Sequence, residues 1–159
     1  MANFSAPVLY NAVTTSLKTA GFLFGAGTKR AMVYEIEMGQ TAAYASTDAP
    51  MQWDLSRAAT PTLAGSTVAA NLLDTSDYTA TTLWVNAATA EPTYTTAGNG
   101  LNLKQWGINQ RGSYRWRALD DGDNILIPST AGVGVGLRAA SISSGFAGSA
   151  IGTLAFIER

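Results

Sequence analysis

The residues of this chain that could do chemistry are almost all carboxylates, because the sequence contains no histidine and no cysteine. Serine–histidine and cysteine–histidine nucleophile systems are therefore excluded, as is a zinc site built from these two residue types. Glu35 and Glu37 form the best carboxylate pair, since they share one face of a predicted strand and lie about 7 Å apart. Glycoside hydrolases place two carboxyl groups at a comparable distance. Alternating glutamates are nevertheless typical of a solvated strand face, which is the interpretation we favour.

Three glycine-containing motifs could act as ligand sites. Residues 120–124 read DDGDN and cluster the oxygens that calcium prefers, but the spacing of a calcium loop is missing. Asp-Gly supplies the positive φ of a tight turn, so this segment predicts a hairpin tip. Residues 25–29, GAGTK, lack the spacing of a phosphate-binding loop, and the glycines of residues 132–136 indicate close packing or a bulge inside a strand. No catalytic, cofactor-binding or metal-binding residue is predicted, and no cofactor.

The tryptophans could form an aromatic platform for sugars. Each of them stands at or near a predicted strand, which favours core packing; they are Trp53, Trp84, Trp106 and Trp116. Trp106 is the expected exception, because it precedes Gly107 at a strand edge.

Charge argues against a nucleic-acid partner. The net charge is −1, and the ten Lys and Arg residues are scattered, with Arg111, Arg115 and Arg117 as the closest group. Phosphate binding usually requires a denser basic patch. We expect these arginines to be solvated beside Asp120, Asp121 and Asp123. The chain also lacks a stretch of apolar residues long enough to span a membrane and a convincing signal peptide, so no membrane partner is predicted.

The segments that carry these residues show apolar and polar side chains in alternation, the pattern of β-strands. Residues 30–40 predict a strand with Met32, Tyr34, Ile36 and Met38 on one face. Residues 113–119 predict another, which places Tyr114 and Trp116 opposite Arg115 and Arg117. Further strands are expected at residues 51–58, 68–73, 81–87, 125–127, 133–140 and 151–157. About eight or nine strands at spacings of roughly 8–15 residues predict an all-β, jelly-roll-like antiparallel β-sandwich.

We expect one domain over residues 1–159, with an irregular N-terminal segment, residues 1–29, that could pack as an arm on a neighbour. Only 13% of the residues are charged, about half of the usual share of roughly 25%. Small uncharged side chains take their place. Such an exterior is unusual for a free monomer and indicates packing against copies of the chain or another protein.

The C-terminal third resembles a known family. Tyr114-Arg115-Trp116, Ile127-Pro128, Gly136-Leu137-Arg138, Gly145 and the closing residues 148–158, GSAIGTLAFIE, are similar to the capsid decoration, or cement, proteins of tailed bacteriophages. Glu35, Thr60-Pro61 and Leu73-Asp74 agree more loosely, and residues 75–104 match nothing in the family. The resemblance implies a jelly-roll-like, non-enzymatic virion protein, commonly trimeric, that binds the major capsid protein on the outer surface of the head.

Other functions remain open at this stage. A tail, fibre or head-fibre module would bind host surface glycans through residues 91–100 and Trp106. A small coat protein that builds its own shell would usually carry a basic arm for the genome, and a carbohydrate-acting enzyme would rely on Glu35 and Glu37. For any partner, we expect the two termini and residues 88–104 to make most contacts, because they look least self-contained.

Overall fold

The computed structural model of the chain describes residues 2–11, 13–25, 27–41, 48–58, 67–74, 76, 78–86, 91–94, 102–142 and 148–159, with the main chain alone for residues 67–69. Every regular element in these ranges is a β-strand. None of the described segments is a helix long and apolar enough to cross a bilayer.

The strands form two six-stranded antiparallel sheets. Sheet A contains β1 (Ala2–Tyr10), β3 (Ala31–Thr41), β6 (Asn71–Leu72), β9 (Tyr114–Arg117), β10 (Ile125–Ile127) and β12 (Ser149–Glu158). Sheet B contains β2 (Lys18–Phe24), β4 (Pro50–Ala58), β5 (Thr67–Ala69), β7 (Leu83–Asn86), β8 (Asn102–Asn109) and β11 (Gly134–Ser141).

The pairing of the strands is that of a jelly roll. The first strand pairs with the last and the second with the last but one, and the nesting continues inward: β1 with β12, β2 with β11, β3 with β10, and β4 with β8. Successive pairs alternate between the sheets, so sheet A has the order β10-β3-β12-β1 and sheet B the order β2-β11-β4-β8. This double winding of eight strands confirms the predicted jelly-roll-like β-sandwich.

The core lies between the sheets and is built from alternate residues of each strand. Phe4 and Phe156 stack in sheet A with ring centroids 5.3 Å apart. Trp53 and Leu137 face them from sheet B, and all four side chains are fully buried. Burial of aromatic and aliphatic side chains at this density is the main force that holds the sheets together.

The N-terminal segment is not the irregular arm that the sequence predicted. β1 lies between β12 and β6 in sheet A, and β2 lies between β7 and β11 in sheet B. The small residues of β1 conceal a regular alternation, in which Ala2, Phe4, Ala6 and Val8 are buried. Pro7 is tolerated because β6 pairs with β1 only at Phe4 and Ser5, away from the proline.

A β-bulge in β3 changes which of its residues face the core, compared with the prediction. Val33 pairs with Phe156 and Glu35 pairs with Ala155, so Tyr34 is an extra residue on this strand. An inserted residue exchanges inward and outward positions beyond it. Val33 therefore faces the core together with Ile36 on the far side of the bulge, whereas the prediction had placed them on opposite faces.

The Asp-Gly segment does not join a hairpin. β9 and β10 both run antiparallel to β3 along the same edge, at 35–38 and 31–33 respectively. They are two pieces of one edge strand, and residues 118–124 form a loop that interrupts it. A turn does form at residues 120–123, but Gly122 does not adopt the positive φ that the Asp-Gly pair predicted. The chain leaves β9 and rejoins the same sheet edge as β10, because β3 offers pairing positions on both sides of Tyr34.

The structure has more strands than predicted. One reason is that a segment expected to form a single strand is split into two short strands, one in each sheet. Residues 68–73 were expected to form one strand. Instead β5 pairs with β7 in sheet B and β6 pairs with β1 in sheet A, with buried Ala70 at the crossing. The predicted turns at Thr60-Pro61 lie outside the described residues.

Candidate functional site

Glu35 and Glu37 are engaged in ion pairs on the outer face of sheet A. The Arg115 guanidinium contacts Glu35 Oε2 at 2.6 Å and Glu37 Oε1 at 3.6 Å, and Arg117 lies 3.8 Å from Glu35. The neighbouring carboxylate of Glu35, and then that of Glu37, raises the pKa of Arg115. The two glutamates are thus neutralised across the strand pair β3–β9, an arrangement typical of a solvated sheet face.

We expect the removal of one of these charges to change the stability of the protein very little. Glu37→Gln should shift the melting temperature by about 2 °C or less, because exposed ion pairs contribute little to stability. Circular dichroism melting curves at low and high salt would check this, with Thr153→Ser as a neighbouring control. A large, salt-independent loss of stability would show that Glu37 has a structural role beyond the ion pair.

The acidic turn satisfies its own carboxylates. Asp120 Oδ1 accepts hydrogen bonds from the main-chain N–H groups of Gly122 at 2.7 Å and Asp123 at 3.2 Å. Asn124 donates to Asp121 at 3.3 Å, and Arg159 lies 3.6 Å from Asp121. Within the described ranges, no group of three or more acidic residues is placed to hold a metal ion. Arg159, not Arg115 or Arg117, is the arginine that pairs with this turn.

The two glycine motifs pack against other parts of the chain. Gly25 donates its N–H to Val133 O at 3.0 Å and accepts from Gly132 at 3.1 Å, which joins two turns. Gly136 lies beneath the Tyr94 hydroxyl, where a Cβ atom would collide with the phenol oxygen. The prediction that glycines in residues 132–136 permit close packing is confirmed at this position.

The expectation for the tryptophans is confirmed for Trp53, Trp84 and Trp106 but not for Trp116, which was expected in the core. Trp53 and Trp84 are almost completely buried in the core. Trp106 and Trp116 are half-buried at its margin, where β8 and β9 form the edges of the two sheets. Trp106 lies 6.3 Å from the Tyr114 ring, and Lys104 Nζ lies 5.3 Å from the centre of the Trp116 ring.

A buried ion pair on the outer side of sheet B was not found by sequence reasoning. Asp54 is fully buried, and Arg138 forms two parallel hydrogen bonds to its carboxylate, both of 2.7 Å. The Ser56 hydroxyl donates to Asp54 at 3.0 Å and accepts from Arg138 at 3.0 Å. Because that hydroxyl has only one proton, Asn102 Oδ1 accepts from Arg138 Nη2 instead, at 3.3 Å. These partners complete the hydrogen-bonding capacity that a buried charge requires.

The segment 91–94 covers this ion pair and fastens itself to sheet B. Glu91 accepts three hydrogen bonds from Thr19, of which the shortest joins the Thr19 hydroxyl to Oε2 at 2.6 Å. Because that hydroxyl has one proton, Tyr94 must donate in its 2.6 Å contact with Thr19. Burial raises the pKa of Tyr94 far above its usual value, which keeps the phenol protonated. The Arg138 guanidinium lies 4.3 Å from the Tyr94 ring centre.

The segments expected to make most partner contacts are built more firmly into the sheets than the sequence suggested, and their contacts with a partner stay a prediction. The two termini form β1 and β12, which pair along nine residue positions at the middle of sheet A. Residues 91–94, expected to be an exposed loop, are held to sheet B, and residues 102–104 begin β8. The other residues of the expected contact segment, 88–90 and 95–101, lie outside the described residues, as does Gly145.

The outer face of sheet A offers a regular surface to a partner. We call it the open face and define it by the outward residues of three strands: Ser5, Pro7, Leu9, Glu35, Glu37, Gly39, Ile151, Thr153 and Ala155. Small or uncharged side chains form most of it, and Leu9 is 42% exposed. A groove of about 460 Å³ crosses it between Glu37, Gly39, Ser113, Arg115, Ile151 and Thr153.

The two sheets therefore present different outer surfaces. Sheet B carries a secondary apolar cluster of Phe22, Phe24, Ala58 and Val85, against which Leu83 and Tyr94 pack. On the open face, the charges of Glu35 and Glu37 are matched by arginines of the same surface. A partner that covered it would not have to bury an unpaired charge.

Comparison with known proteins identifies no relative. No family model, no curated protein and no solved structure matches this chain.

Proposed function

We propose that this chain is a non-enzymatic virion structural protein that decorates and stabilises the outer surface of an icosahedral phage head by binding the major capsid protein as a trimer. The observation that carries the proposal is the open face, a sheet surface of mostly small or uncharged side chains whose two carboxylates are paired with arginines of the adjacent strand β9. Together with the resemblance of the C-terminal third to cement proteins, it favours a protein that presents a surface.

Desolvation of charges decides which surfaces can be covered at low cost. Association with a shell buries surface on both partners, and every charge left without a counter-ion in the interface costs free energy. Glu35 and Glu37 already have Arg115 and Arg117 beside them, so their burial would leave a network with complementary charges. The remaining positions, such as Ser5, Thr153 and Ala155, allow close approach of another flat surface.

Counting the copies of the chain per particle tests this function. Quantitative mass spectrometry of purified virions should find hundreds of copies in a simple ratio to the main shell protein. Removing the chain from particles should also lower their melting temperature, because a ligand of the assembled shell stabilises it by mass action. Absence of the chain from purified particles would contradict the proposal.

The second candidate is a tail, fibre or head-fibre module that binds host surface glycans. It is favoured by a shallow cavity of about 300 Å³ beside half-buried Trp106, lined also by Gln52, Gln105, Gly107 and Ile142. An aromatic ring with adjacent amides is a common way to bind a sugar. A few to a few dozen copies per particle, with glycan binding that Trp106→Ala abolishes, would support this function in place of head decoration.

A further inference from the structure

At the edges of the two sheets, main-chain N–H and C=O groups have no neighbouring strand. Such edges invite pairing with other chains, and proteins usually protect them. On β1, the Leu9 N–H donates to the Asn86 side chain at 2.8 Å. Pro7 has no N–H to offer, and its carbonyl accepts from the Trp84 indole at 2.9 Å. This edge is protected by side chains.

The other short edges are protected in different ways. β5 and β6 contain only three and two residues. The β9–β10 edge is interrupted by the loop 118–124, and the Arg57 guanidinium donates to the Leu126 carbonyl at 2.9 Å. Arg115 and Arg117 add two charges to β9. Short strands, interruptions and charges all discourage strand addition.

β8 is the exception. It contains eight residues, no proline and only one charge, Lys104. Among the residues that the structure describes, only β4 hydrogen-bonds to the main chain of residues 102–108. Lys104 does not guard the edge, because its ammonium group lies over the Trp116 ring at 5.3 Å. On the outer side of β8, Gln105, Gly107 and Asn109 are exposed and uncharged.

We propose that β8 pairs antiparallel with β8 of a second copy of this chain, with Trp106 opposite Trp106 of the other copy. In an antiparallel pair, residues directly opposite each other lie on the same face of the sheet. When two copies of one strand pair by a twofold axis, an inward side chain lies opposite another inward side chain only if the axis passes through a residue and not between two residues. Leu103 is the extra residue of a bulge in β8, where Lys104 pairs with Leu55 and Asn102 with Ser56. The regular part of the strand begins at Lys104, which favours a centre near its middle.

The side chains of β8 are self-complementary in this register. Gln105 lies opposite Gly107, whose Cβ position has no atom within 4 Å and therefore leaves space for the glutamine. Lys104 lies opposite Ile108, so the two lysines are not brought together, and like charges directly opposed are destabilising. The half-buried Trp106 rings would meet across the junction and lose their remaining exposure to water.

The twofold contact would extend sheet B from one copy into the next. It uses neither β9 nor the outer residues of sheet A, so the open face stays accessible. The inference therefore does not depend on the proposed function: it applies to the isolated chain, and in an assembly of trimers the same contact would join neighbouring trimers.

Cysteine cross-linking tests the register in a chain that has no cysteine of its own. The double variant Gln105→Cys/Gly107→Cys should form disulfide-linked pairs of chains under mild oxidation, because residue 105 of one copy faces residue 107 of the other. Either single variant places its two cysteines diagonally, roughly 8 Å apart between Cα atoms, beyond the usual range for a disulfide. Equal cross-linking of the single and double variants, or none in the double variant, would overturn the proposal.

Charge variants at the same two positions provide an independent test. Gln105→Glu/Gly107→Lys places opposite charges across the junction twice, whereas Gln105→Lys/Gly107→Lys places like charges there. By sedimentation equilibrium, the first variant should associate at least roughly ten-fold more tightly than the second. Equal self-association of the two variants would overturn the proposal. It would also be overturned if the charge changes altered binding to the shell but not self-association, because the edge would then pair with a strand of another protein.

Discussion

Replacing Arg138 with methionine should lower the free energy of unfolding by about 3–5 kcal/mol. The variant leaves the fully buried Asp54 carboxylate without its bidentate partner, and the single hydroxyl of Ser56 cannot compensate a buried charge. Methionine keeps most of the aliphatic volume of arginine, so the loss reports on charge and hydrogen bonding. Urea denaturation followed by the fluorescence of the buried tryptophans Trp53 and Trp84 would measure it.

Two further variants separate this effect from loss of packing. Arg57→Met removes a half-buried arginine that makes one hydrogen bond, to Leu126 O, and should cost about 1 kcal/mol. Asp54→Asn/Arg138→Met removes both charges and should recover part of the stability, because the uncompensated anion is gone. If the double variant were no more stable than Arg138→Met alone, the buried charge would not be the cause of the loss.

If the chain decorates phage heads as proposed, replacing Ala155 with arginine should abolish its binding to heads that lack it. Ala155 lies on the middle strand of the open face, between Glu35 on β3 and Ser5 on β1. A long charged side chain there would hold a flat partner away from the sheet. We expect at least a roughly 30-fold loss of affinity, the effect of losing a central contact of about 2 kcal/mol, measured by co-sedimentation with the heads.

Ala131→Arg is the matched control. It makes the same substitution at an exposed residue in the turn before β11, away from the open face. Its binding should equal that of the wild-type chain, and both variants should melt close to the wild-type temperature. Normal head binding by Ala155→Arg would exclude the open face as the shell contact, while equal loss in both variants would point to a general effect of added charge.

Period-two alternation predicted most of the sandwich correctly. The strand expected at residues 51–58 is present as β4, and its Trp53 and Leu55 are buried in the core. Tyr114 and Trp116 face away from Arg115 and Arg117, as the pattern of β9 indicated. The same rule failed in β3, because the bulge at Tyr34 exists only where β3 meets β12, and the sequence of one strand does not reveal a mismatch with another.

The ion pair of Asp54 and Arg138 shows more clearly what local sequence patterns cannot predict. The two residues are separated by 84 positions in the chain, and each occupies an outward position of its own strand, where a charge is ordinarily solvated. The register of β4 with β11 places them directly opposite each other. Residues 91–94 then exclude water from the pair. No local pattern of residue types predicts either event.

The sequence by itself determined that this chain forms strands and that histidine and cysteine chemistry is excluded, since alternation and residue type are local properties. Tertiary structure decided the remaining features: that the N-terminal residues form central strands, that Glu35 and Glu37 are paired with arginines, and that sheet B contains a buried ion pair. It also decided that β8, with Lys104 as its one charge, has no second neighbouring strand among the described residues. The physical reason is that each depends on which strands become neighbours and in which register, and those pairings join residues distant in the chain.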